Sequence, residues 1–128
     1  MTVSTKDNVY SNFVGGQWVE SSSGDVIKSI NPANTNDIVG YVQNSTKEDL
    51  DAAVASAKKA QIQWKKLSGA ERGQYLYNVA NVMEKRLDEI AECATREMGK
   101  TLAETKGETS RGIAILRYYA GEGMRKVG

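Results

Sequence analysis

Residues 38–64 read IVGYVQNSTKEDLDAAVASAKKAQIQW, and the hydrophobic period changes inside that stretch. Ile38-Val39-Gly40-Tyr41-Val42 is a short run of β-branched and aromatic residues, the composition of a strand. Beyond Asn44-Ser45, the residues Leu50, Ala53, Val54, Ala57, Ala60 and Trp64 recur at the three-and-four spacing of one helix face. Thr46 followed by Asp49 marks the join: the hydroxyl can accept from the backbone N–H of residue 49 while the acid reaches back to the N–H of residue 46. The spacing predicts a helix over about 47–65 and divides the chain into strand-forming and helix-forming parts.

Upstream, residues 13–19 (FVGGQWV) place Gly15-Gly16 between two extended pairs, the two-residue signal for a tight hairpin. A turn at Ser21–Asp25 leads into Val26–Ile30, and Asn31-Pro32-Ala33-Asn34 turns the chain again before residue 38. Three or four short strands are therefore expected over 13–43, with residues 1–12 as a flexible leader. Downstream, Ser68 with Glu71 repeats the capping device and is followed by Leu76, Val79, Ala80, Met83, Leu87, Ile90, Ala91 and Ala94. The stripe drifts at Glu84-Lys85-Arg86, which predicts a bend or break there. Gly99 supplies a left-handed residue to end this segment, and Thr101 with Glu104 opens a last helix, so that helices fill 46–125. Strands followed by helices give a small α+β unit by order of elements. In the last helix Ile113, Ile115, Leu116, Tyr118, Tyr119, Ala120 and Met124 point around most of the circumference, so something outside the chain is expected to cover part of it.

With 128 residues, 40% hydrophobic and 26% charged, the chain has the composition of about one ordinary soluble domain. A net charge of +1 lacks the clustered excess of Lys and Arg that phosphate backbones require, so nucleic acid is not an expected partner. No apolar run approaches the ~18 residues of a membrane span, and residues 1–12 lack a signal-peptide core, so neither membrane nor secretion is expected. The absence of histidine excludes Ser-His-Asp and Cys-His pairs within these residues and every His-containing metal site. The single cysteine, Cys93, allows no internal disulfide, and the reading is a cytoplasmic protein.

Several short patterns carry chemistry elsewhere but not here. Gly99-Lys100-Thr101 resembles the end of a P-loop, yet Ala94 stands where the first glycine belongs. Gly121-Glu122-Gly123 follows a helix and has Lys126 in place of the third glycine of a dinucleotide fingerprint. Cys93 lies among acids that raise a thiol pKa, which favours a structural cysteine over a nucleophile. Asn44-Ser45-Thr46 reads as a helix cap rather than a glycosylation acceptor. Glu104, Glu108 and Arg111 share a helix face at i, i+4 and i, i+3 spacing, which serves either to orient an anion or to form a surface ion pair.

Taken in register, Asn12-Phe13-Val14-Gly15-Gly16-Gln17-Trp18, Ile30-Asn31-Pro32-Ala33, Thr46 through Val54 ending at Trp64, Glu71-Arg72, Glu97-Met98-Gly99-Lys100 and Tyr118-Tyr119-Ala120-Gly121 resemble the NAD(P)-dependent aldehyde dehydrogenase superfamily. The resemblance implies an oxidoreductase of α/β family fold. It places this chain in the N-terminal part of the cofactor-binding domain: a short β-hairpin and strand region, then about four helical segments, without the Rossmann-type sheet. In the family a cysteine attacks the aldehyde, hydride passes to the nicotinamide, and an activated water hydrolyses the thioester. The oxyanion-hole asparagine, nucleotide-binding lysine, glycine-rich turn, glutamate base and nucleophilic cysteine all lie beyond the matched region. The expectation is therefore a fragment that neither oxidises aldehydes nor binds NAD or NADP productively by itself, with no catalytic or cofactor-binding residue of its own.

The resemblance also assigns positions. Gly107, Glu108 and Arg111 match the helix that lines the family's substrate tunnel. Ser29, Ile30 and Glu97 match positions that hold a structural monovalent cation in several members, through oxygen donors suited to a hard ion; the other reading is a strand end and an exposed helix-terminal acid. Residues 107–122 look most like members acting on 2-oxoglutarate semialdehyde, with succinate-semialdehyde dehydrogenases close behind. The expected partners of the complete enzyme are a small-molecule aldehyde, the remainder of the enzyme and other copies of itself in a homo-oligomer; self-association through exposed helices is expected of the chain alone. The competing reading is a free-standing helical module that binds a partner protein through its apolar helix.

Overall fold

In the computed structural model, which describes residues 8–125, five short strands precede four α-helices: β1 (Val9–Tyr10), β2 (Asn12–Val14), β3 (Gln17–Val19), β4 (Val26–Ile30), β5 (Ile38–Gln43), α1 (Lys47–Trp64), α2 (Gly69–Lys85), α3 (Leu87–Met98) and α4 (Leu102–Ala120). A 3₁₀ turn over Glu122–Met124 follows. The residues fall into two units that divide between Ile62 and Gln63.

In the first unit, β5 is central in a three-stranded sheet of order β1-β5-β4, parallel to β1 and antiparallel to β4. Ser29 faces Gly40 while Ile30 faces Ile38, so the register slips by one residue and Val39 is the extra residue of a bulge. Val39 is buried. The second sheet is the hairpin β2–β3, with Phe13 opposite Trp18. Gly15 and Gly16 take φ of 61° and 83°, the consecutive left-handed pair that a two-residue hairpin turn needs.

The expected leader over 1–12 requires correction in its last residues. Val9 and Tyr10 pair with Tyr41 and Val42, and Asn12 opens the hairpin. Local composition missed β1 because its hydrogen bonds come from a strand about thirty residues further along the chain, which a periodicity argument does not see. Residues 1–7 lie outside the described residues.

At the start of α1, Thr46 Oγ1 accepts from Asp49 N at 3.2 Å and Asp49 Oδ2 accepts from Thr46 N at 2.8 Å, the reciprocal cap read from the sequence. The apolar stripe of α1 is not a core, however, since none of its residues is buried. The second unit opens α2 and α4 with complete capping boxes, Ser68 with Glu71 and Thr101 with Glu104. The expected break falls at Arg86, which ends α2 and begins α3, and Gly99 closes α3 with φ 71°.

The core of the second unit is built from small residues. Ala80, Ala91, Ile113 and Ala120 are buried, together with Thr105 and Thr109. A Cβ added at Gly73 would run into the carbonyl of Ala120, and one at Gly69 into the backbone of Gly123, so α2 and the end of α4 meet backbone to backbone. The contact pairs run in opposite directions along the two helices, and at its far end Arg117 forms a two-pronged pair with Glu84, at 3.1 and 2.7 Å. The buried hydroxyls are satisfied: Thr109 Oγ1 donates to Thr105 O at 2.8 Å, and Thr105 Oγ1 lies 3.1 Å from Leu102 O and 2.7 Å from Thr95 Oγ1 of α3. Among the described residues no buried side-chain polar atom lacks a partner.

Candidate functional site

The capping box at Thr101 fixes where α4 begins and therefore which side chains share each of its faces. With Thr105, Thr109, Ile113 and Ala120 turned inward, Gly107 and Arg111 fall on the opposite side, and Ile115 and Tyr118 follow Arg111 at i+4 and i+7. All four are exposed. The open space at Gly107 leaves the helix backbone accessible beside Arg111, since a Cβ there would meet nothing within 4 Å.

Arg111 was expected either to pair with a neighbouring acid or to be left for an anion. Glu108 is instead engaged by Lys100, with Nζ 2.6 Å from Oε1, and this contact raises the Lys100 ammonium above its ordinary value. Glu104 is turned back to the cap, where Oε2 accepts from Thr101 N at 3.0 Å and from Thr101 Oγ1 at 2.8 Å, which holds its carboxyl below the usual range. Among the described residues Arg111 has neither an ion pair nor a side-chain hydrogen bond. A guanidinium of this kind keeps its donor fork available for a carboxylate, and the side chains of Ile115 and Tyr118 continue as an apolar strip along the same helix face. The sequence reading missed Lys100 as the partner of Glu108, because the pair bridges the α3–α4 turn at a separation of eight residues that no helical spacing suggests.

The aldehyde dehydrogenase family profile matches residues 18–128. The chain belongs to that family. Its whole length is 68% identical to the alpha-ketoglutaric semialdehyde dehydrogenase of Bacillus subtilis, covering 26% of that protein. It is 41% identical over 110 residues to malonate-semialdehyde dehydrogenase 2 of Bacillus mycoides, with 86% of this chain and 23% of that protein covered. A crystal structure of an NAD-dependent aldehyde dehydrogenase from Sinorhizobium meliloti superposes with a TM-score of 0.86 at 31% identity, covering 91% of this chain and 24% of that one. The chain thus spans about a quarter of the length of the relatives it matches, and its few strands and four helices are an N-terminal portion of the aldehyde dehydrogenase fold.

Set against the family's chemistry, the remaining candidates separate clearly. A dinucleotide requires a glycine-rich turn between a strand and a helix. Gly121-Glu122-Gly123 instead leaves the end of α4 in a 3₁₀ turn, and neither small sheet contains a strand–helix–strand crossover. The described residues therefore contain no glycine-rich strand-to-helix turn of that kind. At Cys93, on α3, partial burial of the sulfur pushes the thiol up and Glu97 adds to the rise, the opposite of the lowering that activates a nucleophilic cysteine.

Of the cation candidates, Ser29 and Ile30 sit in the first unit where the β4–β5 ladder slips. Glu97 sits in the second unit in the last turn of α3. Among the described residues no group of three or more Cys, Asp or Glu is gathered for a metal, and no helix is long and apolar enough to cross a membrane.

Proposed function

We propose that this chain is the N-terminal part of a cytoplasmic aldehyde dehydrogenase that oxidises an acidic semialdehyde, 2-oxoglutarate semialdehyde, to the corresponding dicarboxylate with NAD or NADP. The observation that carries the proposal is the 68% identity sustained over all 128 residues to an alpha-ketoglutaric semialdehyde dehydrogenase, against 41% for a malonate-semialdehyde enzyme. In this reading Gly107, Glu108 and Arg111 border the substrate path. Arg111 bonds the distal carboxylate, Glu108 keeps Lys100 engaged next to it, and Gly107 leaves clearance. Ser29, Ile30 and Glu97 are the residues assigned to a structural monovalent cation in this reading. The complete enzyme is a homo-oligomer.

The 128 residues alone are inactive in this reading, since burial and Glu97 push their one thiol up and no glycine-rich strand-to-helix turn accompanies it among the described residues. Tyr118, Tyr119 and Met124, each more than half exposed, lead the isolated chain to self-associate and favour a second reading, a helical module that binds a partner protein. An assay of both proteins separates the two. The complete enzyme oxidises 2-oxoglutarate semialdehyde with higher kcat/KM than malonate semialdehyde, while the 128-residue chain forms no NADH or NADPH from either. Turnover that copurifies with the short chain would overturn its inactivity; a complete protein without aldehyde oxidation would leave the module reading standing.

A further inference from the structure

The hairpin β2–β3 presents an aromatic pair, Phe13 and Trp18, with ring centroids 4.9 Å apart. None of its residues is buried, so apolar burial does little to hold it in place. Its turn lies against α1, where a Cβ at Gly15 would come within 3.1 Å of Ser56 Oγ, and the polar attachments at its two ends both reach the same short segment. At one end Asn12 Nδ2 donates to Ser45 Oγ at 2.7 Å. At the other the chain enters the turn Ser21-Ser22-Ser23-Gly24, where Ser21 is the one buried polar residue of the described first unit. Ser21 N donates to Gln43 Oε1 at 2.8 Å, Ser21 Oγ to Asp49 Oδ2 at 2.6 Å, Ser22 N to Asp49 Oδ1 at 3.2 Å and Ser23 Oγ to Asn44 O at 2.8 Å. Both carboxylate oxygens of Asp49 are thereby used, and Oδ2 also receives Thr46 N.

We infer that the hairpin is an arm, and that the Asp49 carboxylate is the latch that fixes its base to the start of α1. One side chain thus serves two tasks: it caps a helix and clamps a turn more than twenty residues earlier in the chain. Loss of the latch loosens residues 12–24 relative to α1, because the hairpin takes no part in the β1-β5-β4 ladder and the bonds its base then keeps, among them Ser21 N to Gln43 Oε1, Ser23 Oγ to Asn44 O and Asn12 Nδ2 to Ser45 Oγ, end before α1 begins. A neutral Asn at position 49 keeps one acceptor but presents an amide N–H₂ where the second is needed, so charge and two-sided acceptance go together.

Amide hydrogen exchange on the full chain tests this, with Asp49→Ala as the main variant and Ser21→Ala as the second. Ser21→Ala leaves the cap to Thr46 intact and removes the Oγ bond to Asp49 together with the hydroxyl's bonds to Ser23 and Asn44, while Ser22 N still reaches Asp49 Oδ1. Exchange over residues 12–24 should accelerate about tenfold or more in Asp49→Ala and by a smaller factor in Ser21→Ala, with residues 26–43 and 69–120 unchanged. Unaltered protection of 12–24 in both variants would refute the latch. So would an equal rise over 12–24 and 26–43, which would make Asp49 a support of the whole unit. Should Asp49→Ala fail to fold, Ser21→Ala decides by the same comparison.

Discussion

The two faces of α4 are used in opposite ways. On the inward face, glycines of the neighbouring helix let backbone approach backbone, and Thr105 and Thr109 are tolerated because carbonyls of their own helix and Thr95 take up their hydroxyls. On the outward face Gly107 touches nothing, and Arg111 keeps its donors free while both nearby acids are held by Lys100 and the Thr101 cap. Glycine in a helix costs about 1 kcal/mol relative to alanine. On α2 that cost is offset by close packing; at Gly107 no packing within the described unit offsets it. Residue type alone therefore does not separate a packed position from an open one on these two helices, whereas the neighbours of each residue do.

The comparison is broken most severely at the seam. Gly73→Ala forces a methyl into the carbonyl of Ala120, a main-chain atom that cannot turn aside, and should lower the stability of the chain by about 3 kcal/mol, the upper range for overpacking. Urea denaturation followed by circular dichroism measures this; an unchanged midpoint would show that α2 and α4 are not in backbone contact. Gly107→Ala sharpens the contrast from the other side. It should raise stability by about 0.5–1 kcal/mol in the same experiment, because helix propensity improves and no neighbour is displaced. A loss there would mean that the outward face is already packed in the isolated chain.

Much of this was legible in the sequence because it rests on local chemistry. Three caps with an acid at the third position, a Gly-Gly hairpin turn, the break at Arg86 and the left-handed Gly99 are each specified by residues within one turn of chain. What was not legible depends on distant partners. β1 requires β5, the Lys100–Glu108 pair crosses a turn, and the serines at 21–23 reveal their role only once Asp49 is folded back on them. The stripe on α1 was legible as a pattern, but a pattern does not state what covers it, and its apolar residues remain unburied. For the candidate site, spacing placed Arg111 beside Glu108 on one helix; only the structure assigns Glu108 to another cation.

The most direct measurement is the charge selectivity of the complete enzyme with and without Arg111. In Arg111→Ala, kcat/KM for 2-oxoglutarate semialdehyde should fall by about ten- to a hundredfold, the equivalent of losing one charged hydrogen-bonded contact worth roughly 1.5–3 kcal/mol, while an uncharged aldehyde of similar length is oxidised as before. Equal losses on both aldehydes, or no loss on either, would contradict the assignment of Arg111 to the substrate carboxylate.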